Sequence, residues 1–171
     1  MQGECHEDSY HVNLVINILV RFPEIFTVTY NLDSSSFSLS YMISQKLSRE
    51  NYISLCRQLE ENLEAYRYFK KKESRKMEIR KKSLCGFTQL EIVLAGDSLL
   101  GNEIALLTSI MRDHFGQDLI CEMRMEENDL ADDEPASWDD LLELLLNRNP
   151  GNSTKKLFAF RDSGKVYVFD K

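Results

Sequence analysis

Two short runs of alternating residues, joined by a polar turn, constrain the fold of this chain more than any other feature of its sequence. Residues 26–30 (FTVTY) and 37–43 (FSLSYMI) largely alternate apolar side chains with threonine or serine. Such alternation is typical of a β-strand that is buried on one face and solvated on the other. Because NLDSSS between the runs favours a turn, we expect a β-hairpin whose apolar face needs a second layer to cover it.

Helical patterns on either side of the hairpin predict that second layer. Residues 10–22 carry apolar side chains at helical spacing, and Pro23 stops the pattern because proline lacks a backbone donor and clashes with the preceding turn. After the hairpin, Ser48 is placed to cap a second helix, whose apolar stripe runs over residues 52–66. Two amphipathic helices are therefore expected to flank the hairpin in sequence.

A further strand and a third helix follow. Residues 87–95 (FTQLEIVLA) alternate and predict a strand. Residues 100–111 carry a helical stripe that Asp97 or Ser98 is placed to cap, and Gly116 supplies a left-handed stop. All these patterns together predict an α+β fold, with an antiparallel or mixed sheet and helices packed on one face.

The composition changes sharply beyond these elements. Residues 118–125 (DLICEMRM) alternate and predict one more short strand, but between residues 122 and 143 ten acidic side chains accompany a single arginine. A segment of that composition has little apolar surface to bury. We therefore predict a main domain at 1–125, an acidic linker at 126–136, and a C-terminal appendage at 137–171 that contains a helix and a β-hairpin.

The two parts of this appendage are predicted to dock through apolar faces. One helical stripe suits a helix that docks on a partner or on the rest of the chain, and it comprises Trp138, Leu141, Leu142 and Leu145. The hairpin is predicted from LFAFRDSGKVYVFD, with Gly164 in a three-residue loop. That loop places four side chains on one face that needs covering: Phe158, Phe160, Val166 and Val168.

The charge of residues 66–82 (YRYFKKKESRKMEIRKK) is opposite to that of the whole chain. The segment has nine basic and two acidic residues, in a chain of 171 residues with a formal net charge of −7. Its basic side chains are predicted to form a binding patch of Arg67, Lys70, Lys71, Lys72, Arg75, Lys76, Arg80, Lys81 and Lys82. Such a patch suits an acidic protein or, with the aromatic residues before it, single-stranded nucleic acid. A solvated joint after the second helix is the alternative.

No catalytic or metal-binding signature stands out in the sequence. His6 and His11 resemble the zinc-protease pattern H-E-x-x-H but are one residue too far apart, so a regular helix separates them by about 140°. His114 is expected to lie near a helix C-terminus as a partly buried structural histidine rather than in a catalytic role. The four cysteines are scattered without a C-x-x-C pair, and glycine-rich phosphate loops and nucleophile motifs are lacking. We therefore predict neither a metal nor a cofactor.

The sequence as a whole predicts a non-catalytic, cytoplasmic interaction or adaptor protein. It would bind another protein through the basic patch and the C-terminal helix–hairpin unit. An RNA-associated factor that uses the basic patch is the alternative, and a metal-dependent hydrolase at His6 and His11 is the second alternative. The apolar runs are shorter than the ~20 residues that cross a bilayer, and the polar N-terminal residues do not match a signal peptide, so no membrane association is expected.

Overall fold

The chain forms an α+β structure in which helices cover one face of an antiparallel sheet. The computed structural model describes residues 4–73, 76–95, 101–121, 156–162 and 164–170. Its elements are α1 (Glu4–Arg21), β1 (Thr27–Asn31), β2 (Ser36–Ile43), α2 (Arg49–Phe69), β3 (Met77–Leu84), β4 (Phe87–Ala95), α3 (Gly101–Phe115), a 3-10 helix (Gly116–Asp118), β5 (Lys156–Asp162) and β6 (Lys165–Asp170). The α+β class predicted from the sequence is confirmed.

The strands form one sheet in the order β3-β4-β2-β1-β5-β6. β1 and β2 make the predicted hairpin, with Val28 opposite Leu39 and Tyr30 opposite Phe37. On either side of it, β4 pairs with β2 and β5 pairs with β1. Every pairing is antiparallel, so of the two predicted alternatives the described strands form the antiparallel sheet.

Side chains of each strand alternate between a face covered by helices and an open face. The covered face is apolar and buried, with Val28, Tyr30, Phe37, Leu39, Tyr41, Ile43, Leu90, Ile92, Leu94, Leu157 and Ala159. α1 contacts β1, β5 and β6, while α2 and α3 pack against each other. Hydrogen bonds also join the layers: the Tyr52 hydroxyl donates to the Ile79 carbonyl at 2.7 Å, and the hydroxyls of Tyr41 and Thr108 lie 2.9 Å apart.

Local signals in the sequence set the helix boundaries. α2 begins after Ser48, whose hydroxyl accepts a hydrogen bond from the Asn51 backbone nitrogen at 3.2 Å. α1 ends two residues before Pro23, and Gly116 follows α3 with a φ of 53°. The predicted cap, stop and left-handed glycine are all confirmed.

The sequence patterns do not predict β3, which lies at one edge of the sheet. This strand pairs with β4 along its whole length, from Met77 opposite Leu94 to Leu84 opposite Phe87. Its sequence, MEIRKKSL, alternates Met77 and Ile79 on the covered face with charged residues on the open face. The charged residues hide the alternation, and an edge strand tolerates them because one of its sides borders water.

The C-terminal hairpin forms, but in a different register from the predicted one. The observed pairs are Phe158 with Phe169, Phe160 with Tyr167, and Asp162 with Lys165. The three-residue loop predicted above is therefore wrong. Because directly paired residues share a face and neighbours alternate, the shift of one residue places Val166 and Val168 on the covered face, away from Phe158 and Phe160.

The strand predicted at 118–125 does not form over its described part. Residues 116–118 make the 3-10 helix, and Leu119 forms a single bridge with Ile43. The Ile120 nitrogen also donates to the Met42 carbonyl at 2.9 Å. Other predicted features lie outside the described residues: the caps Asp97 and Ser98, the acidic linker 126–136, and the docking helix with Trp138, Leu141, Leu142 and Leu145.

The C-terminal hairpin belongs to the same sheet as the first four strands. β5 pairs with all five residues of β1, and its Leu157 and Ala159 are buried in the common hydrophobic core. The predicted division into a main domain at 1–125, a linker at 126–136 and an appendage at 137–171 stays a prediction. The shared sheet provides the physical basis for testing it.

Candidate binding surface on the open face of the sheet

The structure separates the basic residues predicted as a binding patch. Exposed side chains around the loop between α2 and β3 are Lys70, Lys71 and Lys76. On β3, alternation places Arg80 and Lys82 on the open face and Lys81 on the covered face. Arg67 and Lys72 lie closer to α3, and Arg75 lies outside the described residues. The basic side chains thus lie on different surfaces, and their joint binding role stays a prediction.

A buried ion pair connects α2 with α3. Nη2 of Arg67 donates to Oε2 of Glu103 at 3.1 Å, and the two side chains are only 3% and 0% exposed. Nη1 of Arg67 donates to the Glu73 carbonyl at 3.4 Å. Arg67 is therefore engaged inside the fold, where it holds two helices together.

Lys81 is engaged with the helical layer rather than with solvent alone. Its Nζ lies 5.0 Å from the centroid of the Tyr52 ring and 3.4 Å from the Leu47 carbonyl. Burial raises the pKa of Tyr52 and also the pKa of the Cys56 thiol. Because the thiolate is the reactive form of cysteine, Cys56 is not an activated nucleophile.

Small hydroxyl side chains line the middle of the open face. Thr27 and Thr29 of β1 lie opposite Ser40 and Ser38 of β2. The hydroxyls of Thr27 and Ser40 are in direct contact, and Ser38 donates to Glu91 of β4. These side chains are shorter than those on the same face of the neighbouring strands β4 and β5.

The β3–β4 side of the open face is charged, yet its charges neutralise one another. Arg80 donates two hydrogen bonds to Glu78, at 2.9 and 3.1 Å, and its Nη1 lies 3.8 Å from Oε2 of Glu91. The hydrogen bonds from Arg80 lower the pKa of Glu78. The guanidinium is thus largely satisfied by neighbouring carboxylates, and Lys82 is the remaining described cation of the predicted patch on this face.

The opposite side of the open face is aromatic. The Phe160 ring lies 5.3 Å from Tyr167 and 5.7 Å from Phe169 between centroids, with interplanar angles of 21° and 8°. Phe158 lies 5.9 Å from Phe160. The outer two rings are well exposed, Tyr167 at 40% and Phe169 at 49%. We call these four residues the aromatic cluster.

The sequence prediction missed Tyr167 and Phe169 because it used the wrong hairpin register. The Ser163–Gly164 dipeptide between β5 and β6 is a turn signal that is also compatible with a two-residue loop. A two-residue loop pairs Phe160 with Tyr167 and brings all the aromatic side chains to one face. Loop length was the signal that could have revealed the cluster.

The two edges of the sheet differ in charge. β3 presents Glu78, Arg80, Lys81 and Lys82 along one edge, and such charges discourage pairing with another chain. β6 forms the other edge with the sequence KVYVFD, whose four central residues are uncharged and strand-favouring. An uncharged edge of this kind is a template for strand addition, and it borders the aromatic cluster directly.

The described residues show neither a metal-binding cluster nor a membrane-spanning helix. Within the described ranges, no three or more His, Cys, Asp and Glu side chains come together in a way that could hold a metal ion. His11 is 3% exposed and stacks on Tyr30, with ring centroids 5.0 Å apart. His114 meets Phe115 edge-on at 4.7 Å, and the side chain of His6 lies outside the described part. None of the helices described is both long and apolar enough to cross a membrane.

Comparison of the chain with protein-family models, with curated proteins and with solved structures finds no match. An α+β architecture is shared by proteins of many functions, so the fold class alone does not indicate an activity. The function must therefore be inferred from the chemistry of the surfaces described above.

Proposed function

We propose that this protein is a non-catalytic interaction protein that binds another protein through the aromatic cluster and the β6 edge. The observation that supports this proposal most is the pair of exposed, stacked rings Tyr167 and Phe169 beside an uncharged edge strand. Aromatic residues are enriched at protein interfaces because they bury a large area at a small cost in conformational entropy. The cytoplasmic location expected from the sequence stays a prediction.

Strand addition is the binding mode that suits this surface. An extended segment of the partner, paired along β6, would satisfy the outward backbone groups of the edge and place alternate side chains over Tyr167 and Phe169. Covering the exposed half of one aromatic side chain removes about 100 Å² from water, which is worth roughly 2.5 kcal/mol. Two such rings would make a large contribution to the affinity of the complex.

An RNA-binding function has weaker support from the same surface. Single-strand binders place stacking rings next to cations that neutralise phosphate. Here the aromatic cluster lies on β5 and β6, whereas Arg80 and Lys82 lie on β3, about 19 Å from β5 at the usual spacing of strands. Arg80 is moreover paired with Glu78. Lys156 and Lys165 flank the cluster on the same face, but Lys165 lies opposite Asp162. We therefore favour a protein partner, and RNA is treated as an alternative outcome of the experiment below.

The experiment compares capture of partners by matched variants of the full chain. The double variant Tyr167→Ser/Phe169→Ser removes the exposed rings of the cluster. Phe87→Ser is the control, because Phe87 is 42% exposed on the same face but lies on β4, far from β6. Both variants leave the buried core intact, so neither should unfold the protein.

In nuclease-treated extract, we expect the wild type and Phe87→Ser to retain the same protein partner and the double variant to lose it. Capture that disappears on nuclease treatment would instead indicate an RNA-dependent function. Equal capture by the wild type and the double variant would contradict the proposed surface, since removal of Tyr167 and Phe169 would then have no effect.

A further inference from the structure

Every second residue of β6 directs its backbone hydrogen-bonding groups away from the sheet. β5 and β6 are joined by a two-residue loop, so the pair that closes it, Asp162 with Lys165, is hydrogen-bonded. Hydrogen-bonded and non-hydrogen-bonded pairs alternate along an antiparallel ladder. The residues whose N–H and C=O groups point outward are therefore Val166, Val168 and Asp170. Among the described strands, none pairs with this side of β6.

These outward groups match those of a second, antiparallel copy of β6. When Val168 lies opposite Val168 of the second copy, Val166 of each copy lies opposite Asp170 of the other. All three outward residues then enter hydrogen-bonded pairs, and no like charges oppose each other within residues 166–170. A register centred on Tyr167 instead places Asp170 opposite the loop residue Gly164 and leaves fewer pairs. Self-pairing is therefore most complete in the register centred on Val168.

The same register brings the exposed rings of two copies together. Tyr167 of each copy lies opposite Phe169 of the other in a non-hydrogen-bonded pair, in which the Cα atoms are only about 4.5 Å apart. Both rings already stack on Phe160 within their own chain. Aromatic pairs across neighbouring strands stabilise a sheet, so each aromatic cluster would be covered by the cluster of the second copy.

The helical layer leaves room for this pairing. α1 contacts β1, β5 and β6, so its axis runs near β5, about 7 Å from the two-fold axis at the usual strand spacing. The two copies of α1 would then lie about 14 Å apart, which exceeds the 8–10 Å between packed helices. The opposite edge of the sheet is less suitable because β3 carries four charged side chains.

We propose that two copies of this chain associate reversibly through their β6 edges, in the antiparallel register centred on Val168. This self-pairing rests on the proposed function for its consequence, because a partner strand and a second copy compete for the same outward groups. Each copy contributes one short strand and two rings, so the buried area falls below the ~1,200 Å² of stable complexes. The dimer is therefore weak, and dilution releases the edge for another protein.

Cysteine cross-linking tests the register. The Cα atoms of a hydrogen-bonded pair lie about 5.5 Å apart, within the range of a disulfide. Val168→Cys should therefore form a cross-linked dimer on oxidation with diamide, in a yield that rises with protein concentration. Val166→Cys is the matched control, because both valines are partly buried on the covered face. The two copies of residue 166 lie about 14 Å apart, so this variant should not cross-link above the wild-type level.

Analytical ultracentrifugation tests the association without a cysteine variant. The wild type should pass reversibly from monomer to dimer between about 10 μM and 1 mM. Tyr167→Ser/Phe169→Ser should weaken the dimer by at least about tenfold, whereas Phe87→Ser, which changes an exposed ring on β4, should not.

A wild type that stays monomeric at the highest concentration, or equal cross-linking of Val168→Cys and Val166→Cys, would overturn the self-pairing. Neither result would affect the proposed function, which depends on capture of a different protein. A dimer in the register centred on Val168, together with equal partner capture by the wild type and the double variant, would support self-pairing and contradict the proposed function alone.

Discussion

Replacing Glu103 by glutamine should destabilise the protein by about 3 kcal/mol, at the lower end of the range for breaking a buried ion pair. Glu103 is fully buried and accepts a hydrogen bond from Arg67, which is itself only 3% exposed. Glutamine keeps the shape and one oxygen acceptor, so the loss is mainly electrostatic: Arg67 and the nearby Lys72 are left without the carboxylate that balances them.

Urea denaturation measures this loss directly. With a slope of about 2 kcal/mol per molar urea for a chain of this size, the midpoint should fall by roughly 1.5 M. Glu78→Gln is the control, because it breaks the exposed pair with Arg80, whose side chains are 56% and 57% exposed. That change should leave the midpoint unaltered within error.

A double variant separates the charge effect from packing. Arg67→Met combined with Glu103→Leu removes both charges and keeps similar volumes, so it should lose much less stability than the single Glu103→Gln change. A Glu103→Gln midpoint within about 0.3 M of the wild type, at unchanged slope, would refute the reasoning, because the carboxylate would then contribute little to holding α2 and α3 together.

Three further predictions follow from local features of the structure. Ser48→Ala should lower the free energy of unfolding by about 1 kcal/mol in urea denaturation, because it removes the acceptor for the Asn51 nitrogen; an unchanged midpoint would contradict this. Arg80 lowers the folded-state pKa of Glu78, so this exposed pair gives a stabilisation that is too small to move a denaturation midpoint; it is present above the unfolded pKa of Glu78 and is lost as pH falls through the folded pKa. Arg80→Gln should raise the Glu78 pKa in a nuclear magnetic resonance titration, and no change would count against the pairing. Truncation to residues 1–125 should lower the thermal midpoint or abolish cooperative unfolding, because β1 becomes an edge and α1 loses β5 and β6; a wild-type midpoint would show that the hairpin is dispensable.

Helices and strands whose apolar residues recur at one clear spacing could be predicted from the sequence. The β1–β2 hairpin alternates strictly enough to define both its faces, and α2 has an apolar stripe, a capping serine and a length that agree with one another. In these segments local propensity and the tertiary environment favour the same structure, which is the condition under which sequence patterns are informative.

Strand β3 and the β5–β6 register could not be predicted from the sequence, and the physical reasons differ. β3 lies at an edge, so only Met77 and Ile79 have to be apolar, and the charged residues between them resemble a solvated segment. The β5–β6 register depends on whether the loop has two or three residues, and the sequence around Gly164 is compatible with both lengths. One residue decides whether valine or tyrosine joins Phe160 on the open face.

The inward position of Arg67 was accessible from the sequence. Leu55, Leu59, Leu63 and Arg67 follow one another at intervals of four and form the buried side of α2. The spacing therefore places Arg67 on the apolar stripe of the helix. The partner Glu103 could not be identified in the same way, because it comes from α3 and only the packing of the two helices brings the charges together.

The central claim, that the β6 edge and its aromatic rings form an interface with a protein, is tested most directly by amide hydrogen exchange with and without the captured partner. Strand addition predicts that the outward-facing amides of residues 165–170 exchange more slowly in the complex, while those of 77–84 on the opposite edge keep their rates. Unchanged exchange throughout β6 in a saturated complex, with protection elsewhere, would contradict the account.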